Sequence, residues 1–155
     1  ARYTYEILEG HGYQAVQDLK GGRRSRLVDD VVFLNIALTG MISGITKGKG
    51  QASVAHALYD AVRTHFYPES RDFLHGEIVG VGLLAQLVYN GSESQVPVLK
   101  DCMRRLDMPC SLTEIGVRPS ESRLETLYAE ICRNRFMVPD EAHLRRLKEA
   151  LHRIA

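Results

Sequence analysis

Residues 52–89 read ASVAHALYDAVRTHFYPESRDFLHGEIVGVGLLAQLVY, and they decide the fold. Val54, Leu58, Ala61 and Val62 fall on related helical turns, so the spacing predicts a helix over about 51–66. Tyr67-Pro68-Glu69-Ser70 breaks it, because proline cannot continue the ladder and biases its predecessor away from helix. A second helix is predicted over about 74–89, stopped by Asn90-Gly91. Gly76, Gly80 and Gly82 crowd that helix, each costing roughly 1 kcal/mol relative to alanine. Close approach of another backbone or of a ligand is the usual reason for keeping them.

The flanking sequence extends the same pattern. Tyr5, Leu8, Tyr13, Val16 and Leu19 fit a first amphipathic helix, interrupted by Gly10 and Gly12 and closed by Gly21-Gly22. Ser25 can cap a long helix over about 26–45, whose LVDDVVFLNIALTGMISGI is apolar on almost every face after Asp30 and predicts burial on several sides. Thr46-Lys47-Gly48-Lys49-Gly50 is a loop by composition. Downstream, a helix starts near Pro97 and reaches Leu106, with a short capping-box piece at Ser111-Leu112-Thr113-Glu114. Pro119-Ser120-Glu121-Ser122 and Pro139-Asp140-Glu141 open two more helices, the last with Leu144, Leu147 and Leu151 on one stripe. No alternating run bounded by turns and no repeat is present. The expectation is all-α, a single helical domain over 1–155 with about seven helices.

Bulk properties exclude several functions. The 155 residues are 45% hydrophobic and 25% charged, an ordinary globular composition. A net charge of +1 gives no electrostatic case for nucleic acid or an anionic membrane. Arg23, Arg24 and Arg26 follow Gly21-Gly22 and read as a solvated loop, since no glycine-rich turn leads there from a strand into a helix. Cys102, Cys110 and Cys132 sit at no zinc-ligand spacing and cannot all pair, which predicts free thiols and a reducing, cytoplasmic setting. No apolar run is long enough for a membrane span. The chain opens without an initiator Met or a helix cap, so it is expected to be cut from something longer.

Two of six histidines stand out. His11 lies between glycines, His143 and His152 among charges, and His65 near a helix end on a different side from His56. His56 lies in a helix start made of small residues, and His75 in the first turn of the next helix. Helices joined by a Pro-containing turn tend to lie side by side, so the two imidazoles can converge. From spacing alone, the plainer account is a small-residue helix contact carrying two ordinary histidines.

A resemblance adds to this. Residues 50–59, GQASVAHALY, then Pro68-Glu69-Ser70, then residues 74–82, LHGEIVGVG, are similar to the second half of the glycerol dehydrogenase branch of the iron-containing, metal-dependent alcohol dehydrogenases. The likeness continues through Leu83-Leu84-Ala85-Gln86-Leu87, Met108-Pro109 and residues 111–116, and spans about 5–151. It implies the multi-helical C-terminal domain of a dehydroquinate synthase-like fold, with an N-terminal α/β nucleotide-binding domain expected before residue 1. It also implies that His56 and His75 bind a divalent metal, zinc in this branch, with a third ligand, an aspartate, upstream. A catalytic zinc takes three protein ligands and keeps one open position. Glu77 is expected either as a helix N-terminal carboxylate or as a group orienting His75.

The resemblance implies a metal- and NAD-dependent oxidoreductase domain acting on a secondary alcohol of glycerol or a similar small polyol or hydroxy compound, inactive as the 155 residues alone. Alternatives are a polyol phosphate or hydroxy acid dehydrogenase of the same superfamily, or a non-catalytic helical assembly module. The expected partners are the small substrate, the nucleotide-binding half and further copies of the chain, with no nucleic acid and no membrane.

Overall fold

The computed structural model describes residues 2–45, 53–134, 136–137 and 140–155. The glycine–lysine segment 46–50 and Pro139 lie outside the described residues. Every regular element described is a helix, as the apolar period predicts. None is long and apolar enough to cross a membrane. The chain divides into two compact units, Ala1–Gln51 and Ala52–Ala155.

The first unit holds α1 (Arg2–Lys20), α2 (Arg26–Phe33), a π-helical stretch (Leu34–Leu38) and α3 (Thr39–Ile45). Helix α1 runs unbroken through Gly10 and Gly12, contrary to the expected interruption. A glycine weakens a helix by only about 1 kcal/mol, which packing against α2 offsets. The turn after α1 is tied by Asp18, whose carboxylate accepts bonds from Gln14 and Arg23, both at 2.9 Å. Arg24 and Arg26 pair with Asp29 and Asp30 on the next helix, so the arginine cluster is an ion-paired surface turn. Ser25 caps α2 by accepting from the Val28 N–H.

The single long helix expected over 26–45 is interrupted by the π-helical stretch. The Thr39 hydroxyl donates to the Leu34 carbonyl at 3.2 Å, and the Thr39 backbone N–H reaches the same oxygen. A threonine that bonds back in this way competes with the regular ladder and widens it by one residue. Burial is also not as predicted. Val28 and Leu34 are buried, but Phe33, Ile36, Met41 and Ile45 are exposed. Helix α1 covers one side only, so the all-round apolar pattern marks surface here.

The second unit is built on α4 (Val54–His65) and α6 (His75–Tyr89), joined by the one-turn helix α5 (Tyr67–Ser70). The sequence predicts a plain break at 67–70. Instead the chain bends at Phe66 (φ −131°, ψ 34°) and re-enters a helix with Pro68 in its first turn, where the missing N–H has no ladder to break. A 3₁₀ turn (Glu93–Gln95) leads into α7 (Val96–Arg105), and a second (Thr113–Ile115) precedes α8 (Glu121–Cys132) and α9 (Glu141–Arg153). Leu58, Val62, Ile78, Val81, Leu84, Leu127, Ile131 and Leu147 are fully buried together. Each contributes about 1.5–3 kcal/mol of apolar transfer. Helix α6 packs on α4, α7 and α9, and so buries nearly all its faces.

Gly82 explains how α4 and α6 come so close. A Cβ there would lie 2.6 Å from the Ala55 carbonyl oxygen and 2.7 Å from its Cα. One turn on, Gln86 Oε1 accepts the Ala55 N–H at 3.2 Å, satisfying a first-turn donor of α4 that the helix itself cannot. Gly116 plays a similar part for α5: its φ of 85° is left-handed, and a Cβ would run into the Glu69 carbonyl.

Candidate metal centre

The crossing at Gly82 brings two helix N-termini to one place. His56 is the third residue of α4 and His75 the first of α6. Their ring centroids lie 5.6 Å apart, with planes inclined by 46°. The convergence that the helix–turn–helix arrangement predicts is therefore present. With Zn–N bonds of about 2.0–2.1 Å and the half-width of each ring added, two imidazoles on one tetrahedral ion have centroids about 5 Å apart. The observed separation of the two rings is close to that value.

The surroundings of His56 favour its uncharged form. Ser53 occupies the N-cap of α4 in an extended conformation, yet its hydroxyl makes no cap bond to the backbone. It lies 3.3 Å from His56 Nδ1 instead. Burial lowers the His56 pKa, and the neighbouring His75 lowers it further against the opposing pull of Asp60. Tyr59, one turn beyond His56 on the same face, sets its ring edgewise on His75 at 4.3 Å between centroids. His75 is exposed and His56 half-buried, so the site opens outward.

The remaining candidates are structural. The Glu77 carboxylate accepts the Leu74 N–H at 2.6 Å, which makes it the cap of α6, the first of its two expected roles. His65 bonds Glu130 at 3.1 Å, and His143 packs on Asp140, which caps α9. Burial pushes the Cys110 and Cys132 thiols up. The Met108-Pro109 to Glu114 segment, part of the family-like pattern, forms a turn in which Arg104 pairs with both Glu114 oxygens, at 2.7 and 3.0 Å. It borders an open groove of about 490 Å³ beside Phe73 and Glu77. Among the described residues, no group of three histidine, cysteine, aspartate or glutamate side chains is placed to hold a metal. The imidazole pair supplies two donors.

Sequence reasoning missed Ser53 and Tyr59 as companions of the histidines. The signal was available: positions 53, 56 and 59 are three apart and share one helical face.

No family model matches the chain. It is 27% identical over 143 residues to glycolaldehyde reductase of Halobacterium salinarum, covering 91% of this chain and 38% of that protein. It is 28% identical over 117 residues to hydroxycarboxylate dehydrogenase A of Escherichia coli, covering 76% and 32%. A third relative is glycerol-1-phosphate dehydrogenase [NAD(P)+] of Halobacterium salinarum, 28% identical over 109 residues, covering 70% and 30%. The chain is thus similar to reductases and dehydrogenases, and spans about a third of the length of each.

Proposed function

We propose that the chain is the helical, metal-binding half of a two-domain oxidoreductase of the iron-containing alcohol dehydrogenase family, with His56 and His75 as two of three ligands to a divalent ion. The 5.6 Å approach of the two imidazoles carries this reading. The relatives' names support it, since all three are oxidoreductases. An ion held there would polarise the oxygen of a small hydroxy or carbonyl compound while hydride passes between carbon and a nicotinamide. The chain's own part is to present two imidazoles, hold them with Ser53 and Tyr59, and leave the outer face open. Zinc is the proposed ion. The third ligand and the nicotinamide site belong to the nucleotide-binding half.

The relatives' names, rather than the site, support the proposed substrate class. Glycolaldehyde, hydroxycarboxylates and glycerol 1-phosphate share a short carbon chain with a hydroxyl or carbonyl near a second oxygen. Glycerol itself, as in the glycerol dehydrogenase branch, is one member of that set. Such a substrate would offer two oxygens to the site.

Calorimetric titration with zinc tests the ligand assignment. The unmodified chain is expected to bind at pH 8 and more weakly at pH 5.5, because protons compete with metal for imidazole nitrogen. The His56→Ala, His75→Ala double variant is expected to lose binding. Equal affinity in the double variant would place any metal elsewhere and end this reading. In the two-domain enzyme, either single replacement should abolish turnover and leave nicotinamide binding nearly intact.

A further inference from the structure

We infer that Arg63 is a positioning residue, whose guanidinium holds the 70–73 turn where it sets His75 opposite His56. His56, Tyr59 and Arg63 are spaced i, i+3, i+7 on α4 and share the face that meets the start of α6. From there Arg63 Nη1 donates to the Ser70 carbonyl at 2.7 Å and Nη2 to the Phe73 carbonyl at 2.5 Å. Nη1 also lies 3.4 Å from the Ser70 hydroxyl. Ser70 is fully buried, so water cannot stand in for this donor.

The two carbonyls bracket the turn. Ser70 ends α5, and Phe73 precedes Leu74, the N-cap of α6 whose own N–H is held by Glu77. Residues 70 to 77 are therefore pinned at three successive points, and His75 lies within two residues of the last two. Arg63 acts on His75 a second way. Its Cζ lies 5.6 Å from the Tyr59 ring centroid and 5.7 Å from that of Tyr67, and Tyr59 is the ring that rests on His75. A planar fork can serve two carbonyls from separate nitrogens while lying against aromatic rings; a lysine ammonium is a single point charge and cannot. The fork, more than the charge, is what the turn requires.

The metal consequence rests on the proposed function, and the positional claim does not, so the test reads both. In the unmodified chain, NMR should show the Arg63 Nη groups resolved and slow to rotate, and His75 ring protons displaced by the Tyr59 ring current. Arg63→Lys and Arg63→Met should both move the His75 ring signals towards those of an unstacked histidine while α8 and α9 signals stay in place. Zinc affinity should fall about 10–100-fold, the usual effect of losing a group that orients a ligand. An unchanged His75 ring shift in either variant overturns the proposal, as does a freely rotating Arg63 guanidinium in the unmodified chain, a result that stands even if the variants fail to fold. Zinc binding that is insensitive to His56→Ala and His75→Ala would remove the metal reading alone, and the ring shifts would still decide the role of Arg63.

Discussion

The π-interrupted segment of α2 to α3 and helix α6 carry the same signal, apolar residues around nearly the whole circumference, and meet opposite ends. Helix α6 is enclosed by α4, α7 and α9, and Ile78, Val81, Leu84 and Ala85 are fully buried. In the other segment Ile36 is 72% exposed and Ile45 79% exposed. Apolar composition measures what a helix can bury, and the number of neighbours decides what it does bury. The close approach at Gly82 is what lets α6 have a neighbour on that side at all.

Truncating one side chain in each of the two regions should have very different costs. Leu84→Ala, in α6 at a position with no exposure, should cost about 2–5 kcal/mol in denaturant unfolding. Ile36→Ala should fall within about 0.5 kcal/mol of the unmodified chain, as surface substitutions do. Equal costs would show that the 26–45 segment is buried in solution.

Glycine replacements sharpen the contrast with a change of sign. Gly82→Ala forces its methyl against the Ala55 backbone and should cost about 1–3 kcal/mol. It should also disturb the imidazole pair, since Ala55 adjoins His56. Gly40→Ala meets open space within its helix and should stabilise by up to about 1 kcal/mol. Thermal unfolding of the two variants beside the unmodified chain checks both signs.

Exposed Phe33, Ile36 and Met41 give the chain a reason to self-associate. Phe33→Glu should weaken that association about tenfold, about 1.4 kcal/mol, in sedimentation equilibrium. A clean monomer at high concentration, before any substitution, would count against the expectation.

The smallest effect is electrostatic and lies in the second unit. The Arg104 side chain, and then the Cys110 N–H, hold the Glu114 carboxyl below its ordinary value of 4.5. A depressed carboxylate stabilises the fold above its unfolded pKa, and the contribution is lost as pH falls through the folded value. Glu114→Gln should therefore be less stable than the unmodified chain at pH 7, with the gap closing below pH 4.5. A gap that persists at low pH would mean that the hydrogen bonds, not the charge, are responsible.

Helix type was legible wherever a cap or a breaker accompanied the period. Ser25, Ser120 and Asp140 all accept the cap bonds that their positions predict. The π-helical stretch was not legible, because it depends on where a threonine hydroxyl finds a carbonyl, which period alone does not encode. The turn helix α5 was hidden for a related reason: proline ends one ladder and can begin another, and only the bend at Phe66 distinguishes the two. At the site, His56 and His75 were singled out by the family resemblance, since spacing alone favoured two ordinary histidines. Tyr59 and Arg63 were hidden in a face that also reads as ordinary amphipathic helix.

The Gly82 contact and the Gln86 bond to Ala55 also act as a pawl between two rods. Sliding α6 along α4 by one helical turn, about 5.4 Å, would bring a side chain onto the Ala55 backbone and leave its N–H without the Gln86 acceptor. No intermediate offset satisfies both. The spacing between the two imidazoles is thus set in discrete steps rather than by degrees, and any motion that opens or closes the site has to carry α4 and α6 together as one piece.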